Sequence, residues 1–174
     1  MTDWPILSTI TFLPLLGAAF ILLIRGDEAT IARNSRHVAL WTTLVTFALS
    51  LVLIFSFDTT TAAFQFEEYT PWLPEYGIGY HLGVDGISVF FLLLATFLVP
   101  ICIISCWDSV KTRVREYMLA FLILETLMVG VFSSLDMLMF YIFFEGQLIP
   151  MFLIIGIWGG ARRVYSAYKF FLYT

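Results

Sequence analysis

The sequence predicts an all-α protein, a polytopic bundle of transmembrane helices with five complete spans and the start of a sixth. Three observations predict it. Sixty per cent of the 174 residues are hydrophobic and 13 per cent are charged, against a charged share of about 25 per cent in a soluble domain. The apolar residues gather into runs of about 20, the length that crosses a bilayer core. All nine Lys and Arg residues fall in alternate gaps between those runs or, for Lys169, just inside the sixth.

The runs occupy residues 6–24, 38–57, 87–107, 117–135 and 137–158, and a sixth covers 164–174, cut off at Thr174 and expected to continue. Only helices and closed barrels satisfy every backbone polar group inside lipid. The runs are too long for barrel strands and do not alternate, so they are helices. The N-terminus has no basic region and opens with Asp3 and Trp4, so the first run is expected to stay as a membrane helix. Residues 1–174 form the N-terminal part of one membrane domain, with an outer loop over 58–83.

The basic residues set the orientation. Arg25, Arg33 and Arg36 lie between the first two runs, Lys111, Arg113 and Arg115 between the third and fourth, and Arg162 and Arg163 after the fifth. Basic loops stay on the cytoplasmic side. The N-terminus, the 58–83 loop and the tight turn near Ser134 are therefore expected outside. The tryptophans, Trp4, Trp41, Trp107 and Trp158, fall near run ends, where indole favours the headgroup layer, and Trp72 lies in the long loop. Within that loop, short alternating pieces around Phe64 and Ile78 suit a β-hairpin.

Composition excludes several functions. With a net charge of −4 and few basic residues, nucleic acid is not a partner; the lipid bilayer is. Cys102 and Cys106, four apart in one apolar run, share a helix face and have no second pair to complete a metal site. His37 and His81 lie outside the runs, so no histidine sits at depth to hold a haem. No glycine-rich nucleotide loop occurs.

Charges at membrane depth are costly, roughly 2.5 kcal/mol or more, and mark ion or proton paths. Glu145 and Glu125 qualify. Glu145 is about nine residues from the outer end of its run, roughly 13 Å deep. Pro150 cannot donate to the carbonyl of Gly146, and Gly146 leaves room beside the carboxylate. A titratable group, a small residue and a free acceptor together suit a proton-transfer site better than a packing site. Glu125 has no such neighbours in its run, and a structural role weighs equally there. Lys169 is a weaker candidate, better read as snorkelling to the cytoplasmic surface or as a structural pair. Asp85 and Asp136 stand at helix starts on the outer side and read as caps. Pro14 and Pro100 read as packing kinks.

The stretch Trp72-Leu73-Pro74 and Tyr80-His81-Leu82-Gly83-Val84-Asp85-Gly86-Ile87-Ser88 resembles the approach to the third helix of the chain M (subunit 4) family of proton-pumping NADH:quinone oxidoreductase, respiratory complex I. The run from Phe140 through Glu145-Gly146 and Pro150 to Met151 resembles that family's fifth helix, and Trp158-Gly159 and Lys169 to Thr174 extend the match. The resemblance implies an antiporter-like subunit of two inverted five-helix repeats. It implies that Glu145 pairs with a lysine of a later helix to modulate proton transfer. The chain would then serve a translocating enzyme without redox catalysis of its own. NADH, FMN, iron–sulfur clusters and quinone are expected in other subunits, with the membrane subunits of the complex as partners. The location implied is a bacterial cytoplasmic membrane, with the mitochondrial inner membrane as the alternative.

Two other readings compete. A related subunit of a multisubunit sodium/proton antiporter or membrane-bound hydrogenase would share the glutamate. A membrane scaffold without transport would accept any residue of similar volume at Glu145.

Overall fold

The computed structural model describes residues 4–174. Four helices, α1 (Ile6–Leu23), α2 (Glu28–Phe55), α3 (Ser88–Ser105) and α4 (Val114–Ser133), pack each on the next, and α4 closes the ring against α1. Helices α5 (Met137–Gly146) and α6 (Leu148–Trp158) lean on the outside of α4, and α7 (Arg163–Tyr173) folds back along α6. Five helical spans are long and apolar enough to cross a membrane, with α5 and α6 together making the fifth.

Two spans differ from the sequence reading. The second begins at Glu28, ten residues before the expected start at Val38. Asp27 caps it by accepting from the Thr30 N–H at 3.3 Å, and no glycine or proline interrupts the polar stretch that follows. At 1.5 Å per residue its 28 residues reach about 42 Å, longer than a hydrocarbon core of about 30 Å. Its first turns, with Arg33 and Arg36, extend beyond the apolar layer. Trp41 therefore lies within a continuous helix, at the edge of its apolar part.

The fifth span is two helical segments rather than one. Gln147 interrupts it with φ −66° and ψ −20°, a tightened turn that keeps the chain direction. The Gln147 N–H still reaches the Phe143 carbonyl at 3.2 Å, and Met151 reaches Gln147 at 3.3 Å. Between them Pro150 has no N–H for the Gly146 carbonyl, and this missing bond loosens the helix there.

The 58–83 loop holds a hairpin. Strand β1 (Gln65–Leu73) pairs antiparallel with β2 (Ile78–Val84), from Gln65 opposite Val84 to Leu73 opposite Ile78. The turn uses a 3-10 segment, Pro74–Tyr76, closed by Gly77 at φ +68°, a conformation that favours glycine. Between Gln65 and Glu68 β1 carries one more residue than its partner, a bulge that places Phe66 at φ +56°. The hairpin lies across the end of the bundle opposite the basic loops. Leu82 and Val84 are buried with Ile6, Leu7, Ile10, Leu53, Val89, Leu92 and Val129, and the Leu135 N–H donates to the His81 carbonyl at 2.9 Å.

The basic end is tied by side chains that reach backbone carbonyls of the α3–α4 loop and of the end of α1. Arg36 donates to the Val110 carbonyl at 2.8 Å, with its guanidinium 5.9 Å from the Trp107 ring centroid. Trp158 donates to the Thr112 carbonyl at 2.9 Å, and Arg115 to that of Leu22. A second apolar cluster lies under this end: Ala18, Ile21, Ala39, Val99, Ile103, Val110, Val114, Tyr117, Met118 and Leu122.

Candidate functional site

The two carboxylates at membrane depth face opposite ways. On α4 the buried residues Met118, Leu122, Glu125 and Val129 recur at spacings of four, three and four, one stripe of the helix. Met118 and Leu122 belong to the cluster at the basic end and Val129 to the cluster at the hairpin end. Glu125 thus lies inside the four-helix ring, between two apolar clusters, and is fully buried. Neither of its carboxylate oxygens has a hydrogen-bond partner, nor does the neighbouring Thr126 hydroxyl.

Glu145 lies on the other side. α5 docks on α4 through glycine contacts. Gly130 lets the Phe143 ring approach so closely that a Cβ there would meet its Cδ1 at 2.5 Å, and a Cβ on Gly146 would meet Leu127 at 3.0 Å. Phe143, Gly146 and Pro150 therefore face α4, and Leu138, Tyr141, Glu145 and Ile149 form the opposite, exposed stripe. The antiparallel register sets Glu125 level with Leu148, three residues from Glu145, or about 5 Å along the axis. Among the described residues Glu125 thus points into the four-helix bundle, whereas Glu145 faces outward from it.

Lys169 is exposed, and its Nζ sits 4.9 Å from the centroid of Tyr165, four residues back toward the basic end. α7 packs on α6 with Ala167 beside Gly156 and Phe152 against Tyr168 and Phe171. That register sets Lys169 level with Ile154, about 13 Å along the span from Glu145, so the two charges are not brought together. Where α4, α5, α6 and α7 meet, an open cleft of about 430 Å³ is lined by Leu124, Met128, Phe144, Gln147, Leu148 and Phe170, among others.

Asp85 and Asp136 are caps. Asp85 accepts from Ser88 at 2.7 Å and Ile87 at 3.1 Å, and Asp136 from Met139 at 3.0 Å. The backbone bond from Ser88 and that from Met139 are the main causes holding the two carboxyls below the ordinary aspartate value of 3.8.

Sequence reasoning missed a third carboxylate. Glu68 on β1 accepts from the Leu7 N–H at 2.7 Å, from the Ser8 N–H at 3.1 Å and from the Ser8 hydroxyl, which also contacts the Tyr80 hydroxyl at 2.6 Å. Burial is the main cause that pushes the Tyr80 phenol up. Glu68 caps a helix 60 residues away, and nothing in its local sequence signals that.

Residues 134–174 match the family model of the NADH:quinone oxidoreductase/Mrp antiporter transmembrane region. Over 97 per cent of its length the chain is 55 per cent identical to NADH-quinone oxidoreductase subunit M of Rhodobacter capsulatus, covering 33 per cent of that protein. It is 49 per cent identical to NADH-ubiquinone oxidoreductase chain 4 of Marchantia polymorpha, with 97 per cent of this chain and 34 per cent of that one aligned. Respiratory complex I from Thermus thermophilus with bound NADH contains a chain that superposes on 95 per cent of this one with a TM-score of 0.76 and 29 per cent identity, over 32 per cent of its own length. The chain thus spans about a third of the length of the curated relatives it matches. The resemblance seen around Asp85 and Glu145 therefore extends across nearly every residue: over the stretch it spans, the chain is similar to subunit M and chain 4 of NADH:quinone oxidoreductase.

Proposed function

We propose that this chain is part of the proton-translocating membrane subunit of NADH:quinone oxidoreductase, coupling electron transfer from NADH to quinone to proton movement across the membrane. One observation carries this beyond family likeness. Glu145, the one charged residue of the span Met137–Trp158, stands on its uncovered stripe next to Gly146, whose carbonyl lacks its helical partner. A carboxylate facing lipid at that depth is costly, so the stripe is covered by protein in the assembled complex. A carboxylate so placed takes up or releases a proton in response to a moving charge, and touches no redox centre. NADH, FMN, iron–sulfur clusters and quinone then belong to other subunits, and the membrane subunits of the complex are the partners.

Lys169, held over Tyr165, serves as an interfacial charge in this reading. The one-sided placement of the basic residues puts Arg25 to Arg36 in the cytoplasm and the hairpin outside. The 55 per cent identity to a bacterial subunit supports a bacterial cytoplasmic membrane.

In the assembled complex, Glu145→Asp should retain part of the proton transport, whereas Glu145→Gln, unable to ionise, should lose most of it together with coupled electron transfer. Normal stoichiometry and turnover in an assembled Glu145→Gln complex would refute a proton-transfer role. The description of the matching family model also includes the Mrp antiporter, which favours a subunit of a sodium/proton antiporter as the second reading. Proton transport that runs without NADH and depends on sodium would select it.

A further inference from the structure

We propose that the layer around Glu125 is a second, buried site, built to hold a proton together with ordered water inside the four-helix ring and separate from Glu145. All four helices place polar groups between the two apolar clusters. α1 passes from Ile10 in the hairpin-end cluster to Ala18 in the basic-end cluster, with buried Thr11 between them; α2 passes from Leu53 to Ala39 through Ser50, Thr46 and Thr43; α3 passes from Leu92 to Val99 through Thr96; α4 passes from Val129 to Leu122 through Thr126 and Glu125. Apolar packing above and below thus encloses a layer of six hydroxyls and one carboxyl.

The layer is richer in acceptors than in donors. Pro14 has no N–H for the Ile10 carbonyl, and Pro100 none for the Thr96 carbonyl, so each proline, read from sequence as a packing kink, leaves a backbone oxygen free at this level. The hydroxyls of Thr11, Thr43, Thr46, Ser50 and Thr96 each lie within bonding distance of a carbonyl of their own helix, and Ser50 and Thr96 also meet each other at 2.8 Å. Both Glu125 oxygens and the Thr126 hydroxyl are unpartnered though fully enclosed.

Among the described residues no charge in reach neutralises a carboxylate. α1 carries no ionisable side chain, and on α2 Glu28, Arg33, Arg36 and His37 all lie in the first turns at the basic end, where Arg36 bonds the Val110 carbonyl and His37 packs on Trp107. On α3, Cys102 is exposed and Cys106 bonds the Tyr117 hydroxyl at the basic end. On α5, Tyr141 and Glu145 lie on the outward stripe; α6 has no charged residue, and on α7 Lys169 is directed to Tyr165. An ionised Glu125 would be an unpaired buried charge without a donor. A protonated Glu125 supplies the donor that the free carbonyls lack, and a bridging water with two to four polar partners satisfies the rest. Sodium would also take hydroxyl and carbonyl oxygens as ligands and would itself pair an ionised carboxylate, so it is the competing occupant that the test separates.

The test uses infrared difference spectroscopy on the intact complex during exchange from H2O to D2O. A protonated-carboxyl C=O stretch should shift in D2O. It should be absent from Glu125→Gln, displaced in Glu125→Asp and unchanged in Glu145→Gln, which separates this site from the proton-transfer role of Glu145. Unfolding of the full-length subunit supplies an independent reading: Glu125→Leu should lower the midpoint, because the water and the free acceptors lose their donor. A carboxyl band that does not exchange, a band that survives in Glu125→Gln, or a Glu125→Leu chain that unfolds at higher temperature would each overturn the proposal. Loss of the band on adding sodium would reassign the layer to a cation.

Discussion

The carboxylate of Glu68, on the first strand of the hairpin, accepts a 2.7 Å hydrogen bond from the backbone N–H of Leu7, in the first turn of α1. The same carboxylate takes the Ser8 N–H and hydroxyl, doing for α1 what a local N-cap would do; the residue before the helix is Pro5, whose side chain offers no acceptor. A loop residue thereby anchors the hairpin to the bundle.

Replacing Glu68 with Ala should leave two first-turn amides without their acceptor and cost about 1 kcal/mol, the usual value of a helix N-cap. Limited proteolysis of the 58–83 loop in the intact complex should quicken, and Glu68→Gln, which keeps one carbonyl acceptor, should fall between the two. Unchanged cleavage in Glu68→Ala would show that packing of Leu82 and Val84 alone holds the hairpin down.

At Gly130 the α4 backbone leaves no room for a side chain beside the Phe143 ring of α5. Gly130→Ala would drive a methyl into the Phe143 ring, at an overpacking cost of about 1–3 kcal/mol. Thermal unfolding of the complex should drop in Gly130→Ala and recover in part when Phe143→Leu is added. A Gly130→Ala complex as stable as the parent would place the α4–α5 contact elsewhere.

The caps at Asp85 and Asp136 make a pH prediction. Both carboxyls titrate below the ordinary value of 3.8 in the folded chain. A depressed folded-state value means their contribution is present above the unfolded value and disappears as pH falls through the folded one. Amide protection at Ser88 and Met139, corrected for the intrinsic exchange rate, should therefore hold at neutral pH and fall below about pH 4. In Asp85→Asn and Asp136→Asn it should be flat through that window. Parallel loss in the Asn variants would point to general acid unfolding.

Orientation is testable with an impermeant thiol reagent on intact cells. Thr60 and Ala29 are both exposed, at opposite ends of the bundle. A cysteine at Thr60 should label above the parent and one at Ala29 should not. The reverse pattern would invert the topology.

The carboxylates show what the sequence by itself determined. Apolar runs near bilayer length dictate helices, because lipid offers no partner to a free backbone, so the number of spans and the depth of Glu125 and Glu145 follow from counting. The caps at Asp85 and Asp136 and the weak point at Pro150 were legible for the same reason: each acts within one or two turns of itself. The early start of α2 was not, because a polar first third carries no apolar period to mark it as helix.

Only the tertiary structure decided which way each carboxylate faces. A helix in lipid can be apolar all round, so periodicity does not separate the face that meets protein from the one that meets lipid. The contacts of Gly130 with Phe143 and of Gly146 with Leu127 set the rotation of α5 and turn Glu145 outward. The ring formed by α1 to α4 encloses Glu125 among hydroxyls that are scattered over more than a hundred residues of sequence. Glu68 reaches Leu7 across 61 positions. Distances of that kind are set by packing, and no local pattern encodes them.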